Sequence, residues 1–431
     1  MESIISPATK CVVSTGETGK PTESMANQIS FNKYLPIAVL YFFLNSIFLP
    51  LGLLYTTILT PFFLYWIYKE NKIQYGWVFF LITIPFACIH FVQGIDVYYY
   101  FKSWILLFTV FVFILTIVRF LQVAHSLRTI FRIILQVNFI LALIACFLFF
   151  VPPARFLMWS EYDISTGLTK FPRLRMFTYE PSYYSTLLIP LAFYYYLKMI
   201  FFKYPNAGYI FFMVSFPLVI SFSLGAILGI AISFLLLFFS NIKSFFRRKG
   251  VAEYALAGLL LVITAAIIWY NIYPENPFFL RIKNIFTGRD SSFKGRSSDS
   301  FYLAFQVARE KSIYFGVGLG QLKLLGAGIW NTFYNTAFNI NEIAIPNTIA
   351  ETFAIFGISG LLIRLSLEWW LFFRTRTYSN YYRLGLFIYI FIYQFTGSYL
   401  FNIAEYVIWA LAFSQVFEEF DKKNILKKAH Q

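Results

Sequence analysis

A single glutamate close to two arginines is the first group in the sequence that could do chemistry. Glu180 follows Arg173 and Arg175, and Pro181 directly after it favours a helix start at that point. In one interpretation Glu180 is a carboxylate at a helix N-terminus, where the helix dipole favours it, paired to one of the arginines. In the other it is a general base at the membrane boundary, directed at a hydroxyl group. The residues alone leave both interpretations open.

A basic stretch further along supplies side chains that could bind phosphate. Arg289, Lys294 and Arg296 come shortly before residues 301–309, whose apolar side chains recur on one face of a helix. Three residues in front of that run could cap the helix: Ser298, Asp299 and Ser300. Cationic side chains beside a helix N-terminus form a favourable diphosphate site. The alternative is a flexible basic loop that ends in an amphipathic helix lying on the bilayer.

Polar residues also occur at the start of a later apolar run. Asn347 and Glu351 share one face of a helix because they are four residues apart. A carboxylate is costly in a bilayer unless it is paired or functional, so we expect both residues, with Asp299, to support the site. Arg364 and Glu368 have the same spacing and predict a salt bridge on a helix at the cytoplasmic interface.

These residues must be positioned by membrane helices. The chain has 431 residues, of which 59% are hydrophobic and only 13% are charged, far below the ~25% that is typical of globular proteins. Repeated apolar runs near twenty residues predict an all-α polytopic membrane protein with about twelve spans. We expect 1–33 to be a disordered tail, 34–418 the transmembrane domain and 419–431 a basic tail. The predicted spans are 34–49, 51–68, 77–93, 104–121, 130–151, 182–202, 208–221, 223–240, 252–273, 347–363, 384–400 and 403–418.

The distribution of lysine and arginine predicts the orientation. Basic residues accumulate in alternating short loops and in both tails, which places both termini in the cytoplasm. Two loops, 152–181 and 274–346, then face outward although they are themselves basic. Basic groups kept on that side indicate an anionic ligand at the outer membrane surface. The alternative is ordinary anchoring to lipid headgroups.

Other residue types narrow the possible functions. The three cysteines are scattered, and no cluster of histidine, cysteine and acidic residues has metal-ligand spacing, so we predict neither a disulfide framework, a metal site nor a cofactor. The charge pattern is that of a membrane protein, and we expect no nucleic-acid partner. Trp330, Phe333 and Tyr334 in the long loop could stack on sugars or anchor to headgroups.

Four short segments in a fixed order resemble the bacterial O-antigen polymerase and ligase superfamily. Phe177-Thr-Tyr-Glu-Pro-Ser182 is similar to the Phe-x-x-Glu-Pro-Ser pattern of polysaccharide polymerases. The other three are Ile220-Ser-Phe-Ser-Leu-Gly-Ala-Ile-Leu-Gly229, the pair Gly295-Arg296 and Phe315-Gly-Val-Gly-Leu-Gly320, and the pair Pro346-Asn-Thr and Gly357-Ile-Ser-Gly360. The resemblance covers about residues 170–365.

Two departures from the family pattern bear on function. Leu224 stands where the family usually has an arginine, so basic groups of 170–175 or 281–296 would have to substitute for it. Pro346 replaces the loop histidine on which the ligase branch relies, and no histidine occurs between His125 and His430. The resemblance therefore favours polymerase over ligase.

The resemblance implies an all-helical fold of the membrane glycosyltransferase (GT-C-like) type in the bacterial cytoplasmic (inner) membrane, with its active site on the outer side. It implies an inverting, metal-independent transfer of a growing glycan from undecaprenyl diphosphate to the next lipid-linked repeat unit, with a chain-length regulator as a possible partner. In that reading Arg296 and Arg289, with Lys294, Arg173 and Arg175, bind the diphosphate, and Glu180 orients or deprotonates the acceptor.

Three other functions stay open. One is a ligase that moves glycan onto a lipid or protein acceptor. Another is a flippase or other transporter of lipid-linked oligosaccharides, which should carry charged residues in mid-membrane, whereas the predicted spans are nearly free of charge. The last is a non-catalytic scaffold of an export complex.

Overall fold

A computed structural model describes residues 35–50, 53–70, 73–123, 127–162, 167, 171–202, 206–240, 271–273, 275–340 and 342–429. The predicted tail 1–33, nearly all of the predicted span 252–273 and the last residues of the predicted tail 419–431 lie outside these ranges.

The described residues are mainly α-helical. The helices in the first part of the chain are α1 (Tyr55–Ile58), α2 (Thr60–Lys69), α3 (Trp77–Val92), α4 (Val97–Val123), α5 (Leu127–Phe149), α6 (Pro152–Met158), α7 (Pro181–Phe201), α8 (Ala207–Ile220) and α9 (Leu224–Ser240). Those in the second part are α10 (Pro277–Phe286), α11 (Ser291–Arg296), α12 (Ser298–Arg309), α13 (Gln321–Tyr334), α14 (Thr348–Arg374), α15 (Tyr381–Tyr393), α16 (Ile403–Phe413) and α17 (Lys422–Ala429). Short 3₁₀ helices occur at Ile73–Gly76, Thr377–Ser379 and Glu418–Phe420.

Three helices of the described chain are long and apolar enough to cross a membrane. They are Val97–Gln122 in α4, Leu127–Phe149 (α5) and Thr348–Arg374 (α14), with mean hydropathies of 2.5, 2.3 and 1.5. Shorter apolar helices accompany them: α3, α8, most of α9, α15 and α16. This is the architecture of a helical membrane protein, and the count of twelve spans stays a prediction.

The first two predicted spans differ most from the helices observed. In the predicted span 34–49 the described helix covers 35–42, and the chain then turns. In place of a single helix over 51–68, α1 and α2 follow one another around Leu59. Pro61, in the first turn of α2, disfavours a continuous helix there because proline has no N–H to donate to the preceding turn.

Helix α7 lies at the centre of the bundle. Nearly every residue from Pro181 to Tyr195 is buried, and α7 packs against α8, α9, α15 and α16. Tyrosines supply much of the volume; the Tyr184 hydroxyl donates to Asn138 Oδ1 of α5 at 2.9 Å, which satisfies a buried polar group. Glu180 directly precedes the first residue of this well-buried helix, and its position is fixed for that reason.

The predicted loop 152–181 contains regular structure of its own. After α6 come β1 (Trp159–Tyr162) and β2 (Phe171–Leu174), which pair antiparallel with Trp159 opposite Leu174. The Trp159 indole N–H donates to the Ala145 carbonyl oxygen of α5 at 2.7 Å and ties the hairpin to the bundle. The described fold is thus helical except for this small sheet.

The predicted loop 274–346 is folded, not flexible. We call its described residues, 275–340 and 342–346, the loop module. It contains α10–α13 and has an apolar core separate from the core of the bundle, formed by Leu303, Ala304, Val307, Val317, Leu322, Trp330, Ile343 and Ile345 with Ala350 and Ala354 of α14. The basic stretch therefore forms regular helices in the described chain, and the alternative of an amphipathic helix lying on the bilayer stays open.

Helix α14 is broken at Gly357, which has φ 66° and ψ −164°. The loop module supplies partners for the backbone groups whose helical hydrogen bonds are interrupted: Val317 N–H donates to Ala354 O at 3.0 Å, and Ile358 N–H donates to Ile313 O at 3.0 Å. A side chain at Gly357 would collide with backbone, since an added Cβ would lie 2.3 Å from the Tyr314 carbonyl carbon. The two glycine-rich motifs of the sequence thus meet here and dock the module on α14.

Candidate functional site

Glu180 is the N-cap residue of α7, and its side chain does not cap the helix. The preceding turn is fixed by Thr178, whose Oγ1 lies 2.7 Å from the Arg175 carbonyl oxygen and 2.8 Å from that of Glu180. Ser182 donates a hydrogen bond to Glu180 Oε1. Glu180 forms no ion pair with the described residues. The residue is half-buried, and its other oxygen has no hydrogen-bond partner among the described residues.

Arg296 is held through its backbone. The Asn347 side chain accepts from Ala350 N–H and so caps α14, while its Nδ2 donates to the Arg296 carbonyl oxygen at 2.9 Å and to that of Phe395 at 2.5 Å. The guanidinium group itself makes no hydrogen bond or ion pair with any residue that the structure describes. It is half-buried and remains available to a ligand.

Arg173 and Arg281 converge on the turn between α8 and α9. Arg173 Nε donates to the Ser221 carbonyl oxygen at 3.1 Å, and Arg281 Nη1 donates to that of Phe222 at 3.2 Å. Leu224, the position where the resemblance expects arginine, follows this turn and is buried. Two arginines from other segments thus reach the place where the family pattern puts a basic group.

Asp290 holds Arg281 in place. Its Oδ2 pairs with Arg281 Nε at 3.1 Å, and its Oδ1 accepts from Phe293 N–H at 2.6 Å as the N-cap of α11. The Asp290 side chain is fully buried, so this charge is compensated only by its neighbours. The short helix α11 is therefore anchored to α10 close to Arg296.

The electrostatic interactions join these groups into one centre, which we call the arginine centre: Arg173, Arg281, Arg296 and Glu180. Burial, together with the positive charges of Arg281 and Arg296, lowers the pKa of Arg173 to about 9. Burial also works against the charge of Arg296, but Glu180 and nearby tyrosines hold the Arg296 pKa above its ordinary value. With Asp290, three cations and two carboxylates leave one positive charge, which suits an anion.

Tyrosines line the same centre. Tyr179, Tyr393 and Tyr399 all interact electrostatically with Glu180 and Arg296. Burial raises the pKa of Tyr179, with Glu180 adding to the effect, so its hydroxyl stays a protonated donor. Thr186 of α7 donates to the Tyr393 hydroxyl at 3.4 Å. Neutral hydroxyls beside the arginines could hydrogen-bond a sugar or a phosphate oxygen.

The other predicted phosphate ligands lie elsewhere. Arg175 Nη2 donates to the Phe156 carbonyl oxygen at 2.7 Å, so this side chain is directed at α6. Arg289 and Lys294 are exposed and make no side-chain bond with the described residues. The structure therefore divides the predicted diphosphate ligands into a half-buried set and an exposed set.

The predicted supporting residues have structural partners. Asp299 is buried in the first turn of α12 and is not its cap, which is Ser297; its Oδ2 accepts from the Tyr334 hydroxyl at 3.4 Å. Asn347 orients the backbone of Arg296, as described above. Glu351 is buried and accepts the Leu400 N–H at 2.6 Å, which holds the chain between α15 and α16 next to Tyr399.

Sequence reasoning included Arg281 only within the basic range 281–296, and it missed the three tyrosines as site residues. Nothing in the sequence distinguished Arg281 from the other basic residues, because its spacing from Asp290 does not put the two on one face of a helix. Tyr393 is the last residue of α15 and Tyr399 lies near the end of the predicted span 384–400, where aromatic residues are common in any membrane protein. Only Tyr179, adjacent to Glu180, had a signal in the sequence.

A second polar cluster lies inside the bundle. Arg364 Nε donates to Glu368 Oε1 at 3.0 Å and to Gln394 Oε1 at 3.1 Å, and Nη2 donates to Glu405. Thr348 donates to the other oxygen of Glu405 at 2.9 Å. The predicted Arg364–Glu368 pair is present, but it is buried between α14, α15 and α16 and does not lie on an interfacial helix. The spans are therefore less free of charge than expected.

The sequence matches no protein-family model, and comparison with curated proteins gives no match. The geometry of the arginine centre therefore carries the functional inference.

Proposed function

We propose that this chain is a membrane glycosyltransferase that polymerises undecaprenyl-diphosphate-linked repeat units of a bacterial O-antigen, capsule or exopolysaccharide. In this proposal the fold is of the GT-C type with about twelve spans, and the arginine centre faces outward from the cytoplasmic membrane. The observation that carries the proposal is the meeting of Arg296 and Glu180, each open to a ligand, beside two further arginines.

The arginines suit the donor. A diphosphate carries negative charge that grows as its bond to the sugar breaks, and planar guanidinium groups bind its oxygens in pairs. Arg296 has no competing partner in the described chain, and Arg173 retains Nη groups beyond its bond to Ser221. Arg281 is committed to Asp290 and Phe222, so we assign it a positioning role.

Glu180 suits the acceptor. A sugar hydroxyl of the next repeat unit attacks the anomeric carbon of the donor, the carbon–oxygen bond to the diphosphate breaks, and the diphosphate leaves with that electron pair. The hydroxyl proton passes to the free oxygen of Glu180, while Ser182 holds the other oxygen. Attack opposite the leaving group inverts the anomeric configuration and needs no metal ion in this scheme.

The test is a polymer assay with purified protein and lipid-linked repeat units, with products resolved by size. Arg296→Ala removes charge stabilisation, and we expect a loss of rate of about 10²–10³-fold. Glu180→Gln keeps the shape but cannot take the proton, and we expect about 10²–10⁴-fold. Both should leave single repeat units, with the protein still in the membrane.

Arg309→Ala is the matched control, because Arg309 is an exposed arginine of the same loop module that packs over Phe305. It should polymerise normally. Long chains of normal length from Arg296→Ala and Glu180→Gln would remove both residues from the mechanism and end the proposal.

The buried charge cluster around Arg364 favours a second candidate, a transporter of lipid-linked oligosaccharides. Charged residues inside membrane helices often belong to transport pathways. Here, however, Arg364 is bonded to Glu368, Gln394 and Glu405. A structural role in holding α14, α15 and α16 together is therefore enough to explain this buried charge. Proteoliposomes discriminate the two functions: a transporter moves intact substrate across the bilayer and forms no longer product.

A further inference from the structure

A row of aromatic side chains lies on the surface of the loop module. We call it the aromatic row: Tyr302, Phe333, Tyr334 and Phe338. The rings of Tyr302 and Phe333 are 5.1 Å apart, those of Phe333 and Tyr334 4.8 Å, and those of Tyr334 and Phe338 5.4 Å. Tyr302 is 50% exposed and Phe333 37% exposed, so the rings are accessible from one side. Trp330, by contrast, is buried in the module core.

The residues of the aromatic row are held in place by the helices that carry them and by hydrogen bonds. Tyr302 lies on α12, whose opposite face packs in the module core, and Phe333 and Tyr334 end α13. The Tyr334 hydroxyl donates to Asp299 Oδ2 at 3.4 Å, and Phe338 N–H donates to Asn331 Oδ1 at 2.7 Å. A surface that is ordered before binding loses little entropy when a ligand arrives.

The surroundings of the row fit an uncharged carbohydrate. No charged residue occurs from position 324 to 341. Exposed amide and hydroxyl side chains alternate with the rings: Thr332, Asn335, Thr336 and Asn339. Headgroup anchors in anionic membranes combine aromatic with basic residues, whereas the charged groups that bond to the row and its neighbours are carboxylates: Asp299 accepts from the Tyr334 hydroxyl, and Glu342 accepts from Asn339 N–H. The faces of sugar rings present polarised C–H groups to aromatic faces and hydroxyls to amides.

The position of the row connects it to the arginine centre. Helix α12 begins two residues after Arg296, and Tyr302 is one turn further along it. We propose that the aromatic row binds the uncharged part of the growing glycan, while the arginine centre holds the diphosphate end. This inference rests on the proposed function and adds to it a second binding site, for several sugar residues.

The first test is direct binding. The probe is a set of uncharged oligosaccharides released by partial hydrolysis from the surface polysaccharide of the producing cells and fractionated by length. Saturation-transfer NMR with the protein in nanodiscs measures their affinity. Tyr302→Ala and Phe333→Ala should each weaken binding about three- to tenfold, since a single aromatic contact is lost. Tyr314→Ala, a 70% exposed tyrosine outside the row, should leave the affinity unchanged.

The second test is product length. The same variants should join two repeat units at the normal rate but release shorter polymers, because the growing glycan dissociates from them sooner. Unchanged affinity and unchanged length in both variants would overturn the row as a glycan site. If the wild-type protein binds the oligosaccharides but makes no polymer, the polymerase proposal fails and the row stands.

The third test asks whether the row is in water. Tyr302→Cys, with Cys11, Cys88 and Cys146 replaced by serine, should react with a membrane-impermeant maleimide, and the oligosaccharides should slow the reaction. A cysteine that reacts only after the bilayer is dissolved would place the row in lipid and overturn the inference.

Discussion

At the scale of single residues, the arginine centre places like charges close together. Arg173 is held near Arg281 and Arg296 with only Glu180 and the Arg281-bound Asp290 to offset them. Burial and this repulsion both favour the neutral form of Arg173. A bound anion reduces this repulsion, so relief of it would contribute to binding the diphosphate of the proposed donor.

This predicts a pH dependence of donor binding. With a pKa of about 9, Arg173 is charged below that pH and progressively neutral above it. An anion binds the charged form, so affinity should be constant from pH 7 to about 8.5 and fall above pH 9, by at most tenfold per pH unit. The measurement is the Kd of a short-chain prenyl-diphosphoryl sugar, whose charge is constant over this range.

The control for this prediction is Arg173→Ala, which should bind more weakly at pH 7 and lose the decline above pH 9. A wild-type affinity that stays flat to pH 10.5 would show that Arg173 keeps its charge in the centre, and an unchanged affinity of Arg173→Ala at pH 7 would show that Arg173 is not part of the donor site.

At the scale of elements, α14 depends on the loop module for its hydrogen bonds. The segment around Gly316 and the break at Gly357 face each other closely: a Cβ at Gly316 would lie 2.4 Å from the Ile355 carbonyl carbon. Both glycines have positive φ values, 73° and 66°. Neither backbone can move aside without loss of the hydrogen bonds that the other provides.

Gly357→Ala should therefore destabilise the protein by about 2 kcal/mol or more, from strain at positive φ and from the collision with the backbone at Tyr314. Thermal inactivation in detergent is the measurement. Gly328→Ala is the matched control, because Gly328 is inside α13 and an added Cβ meets nothing within 4 Å. It should be neutral or stabilising by up to about 1 kcal/mol. Equal thermal stability of the two variants would contradict the docking described for α14.

Elements with a strong local signal could be predicted from the sequence. The start of α7 at Pro181 and most apolar helices follow from residue type and periodicity. The docking of 313–318 on 354–359 could not be predicted from the sequence. It joins segments some forty residues apart, and the hydrogen bonds that join them use backbone groups, which do not depend on residue type. The Arg364 pair was predicted by its spacing, but its burial depends on Glu405, 41 residues away.

At the scale of the whole molecule, the proposed function requires the loop module to face outward. Helix α14 leads from the module to the turn at Arg376, so the two ends of this helix should lie on opposite sides of the membrane. The distribution of lysine and arginine in the sequence predicts that the module side lies outside.

Cysteine labelling in intact cells tests this orientation. In a background in which Cys11, Cys88 and Cys146 are serine, Thr336→Cys should react with an impermeant maleimide, and Arg376→Cys should react only in broken cells. Both positions are exposed, so access to the reagent is limited only by the membrane. The reverse pattern would place the arginine centre in the cytoplasm, where no exported repeat unit reaches it.

The break in α14 also constrains how the protein is made. The segment 313–318 is synthesised before 354–359, and only its docking completes the backbone hydrogen bonds at Gly357. Unpaired backbone groups cost several kcal/mol each in hydrocarbon. In the proposed topology the module therefore crosses the membrane and folds before α14 settles in lipid, so the order of biosynthesis and the order of assembly coincide at this helix.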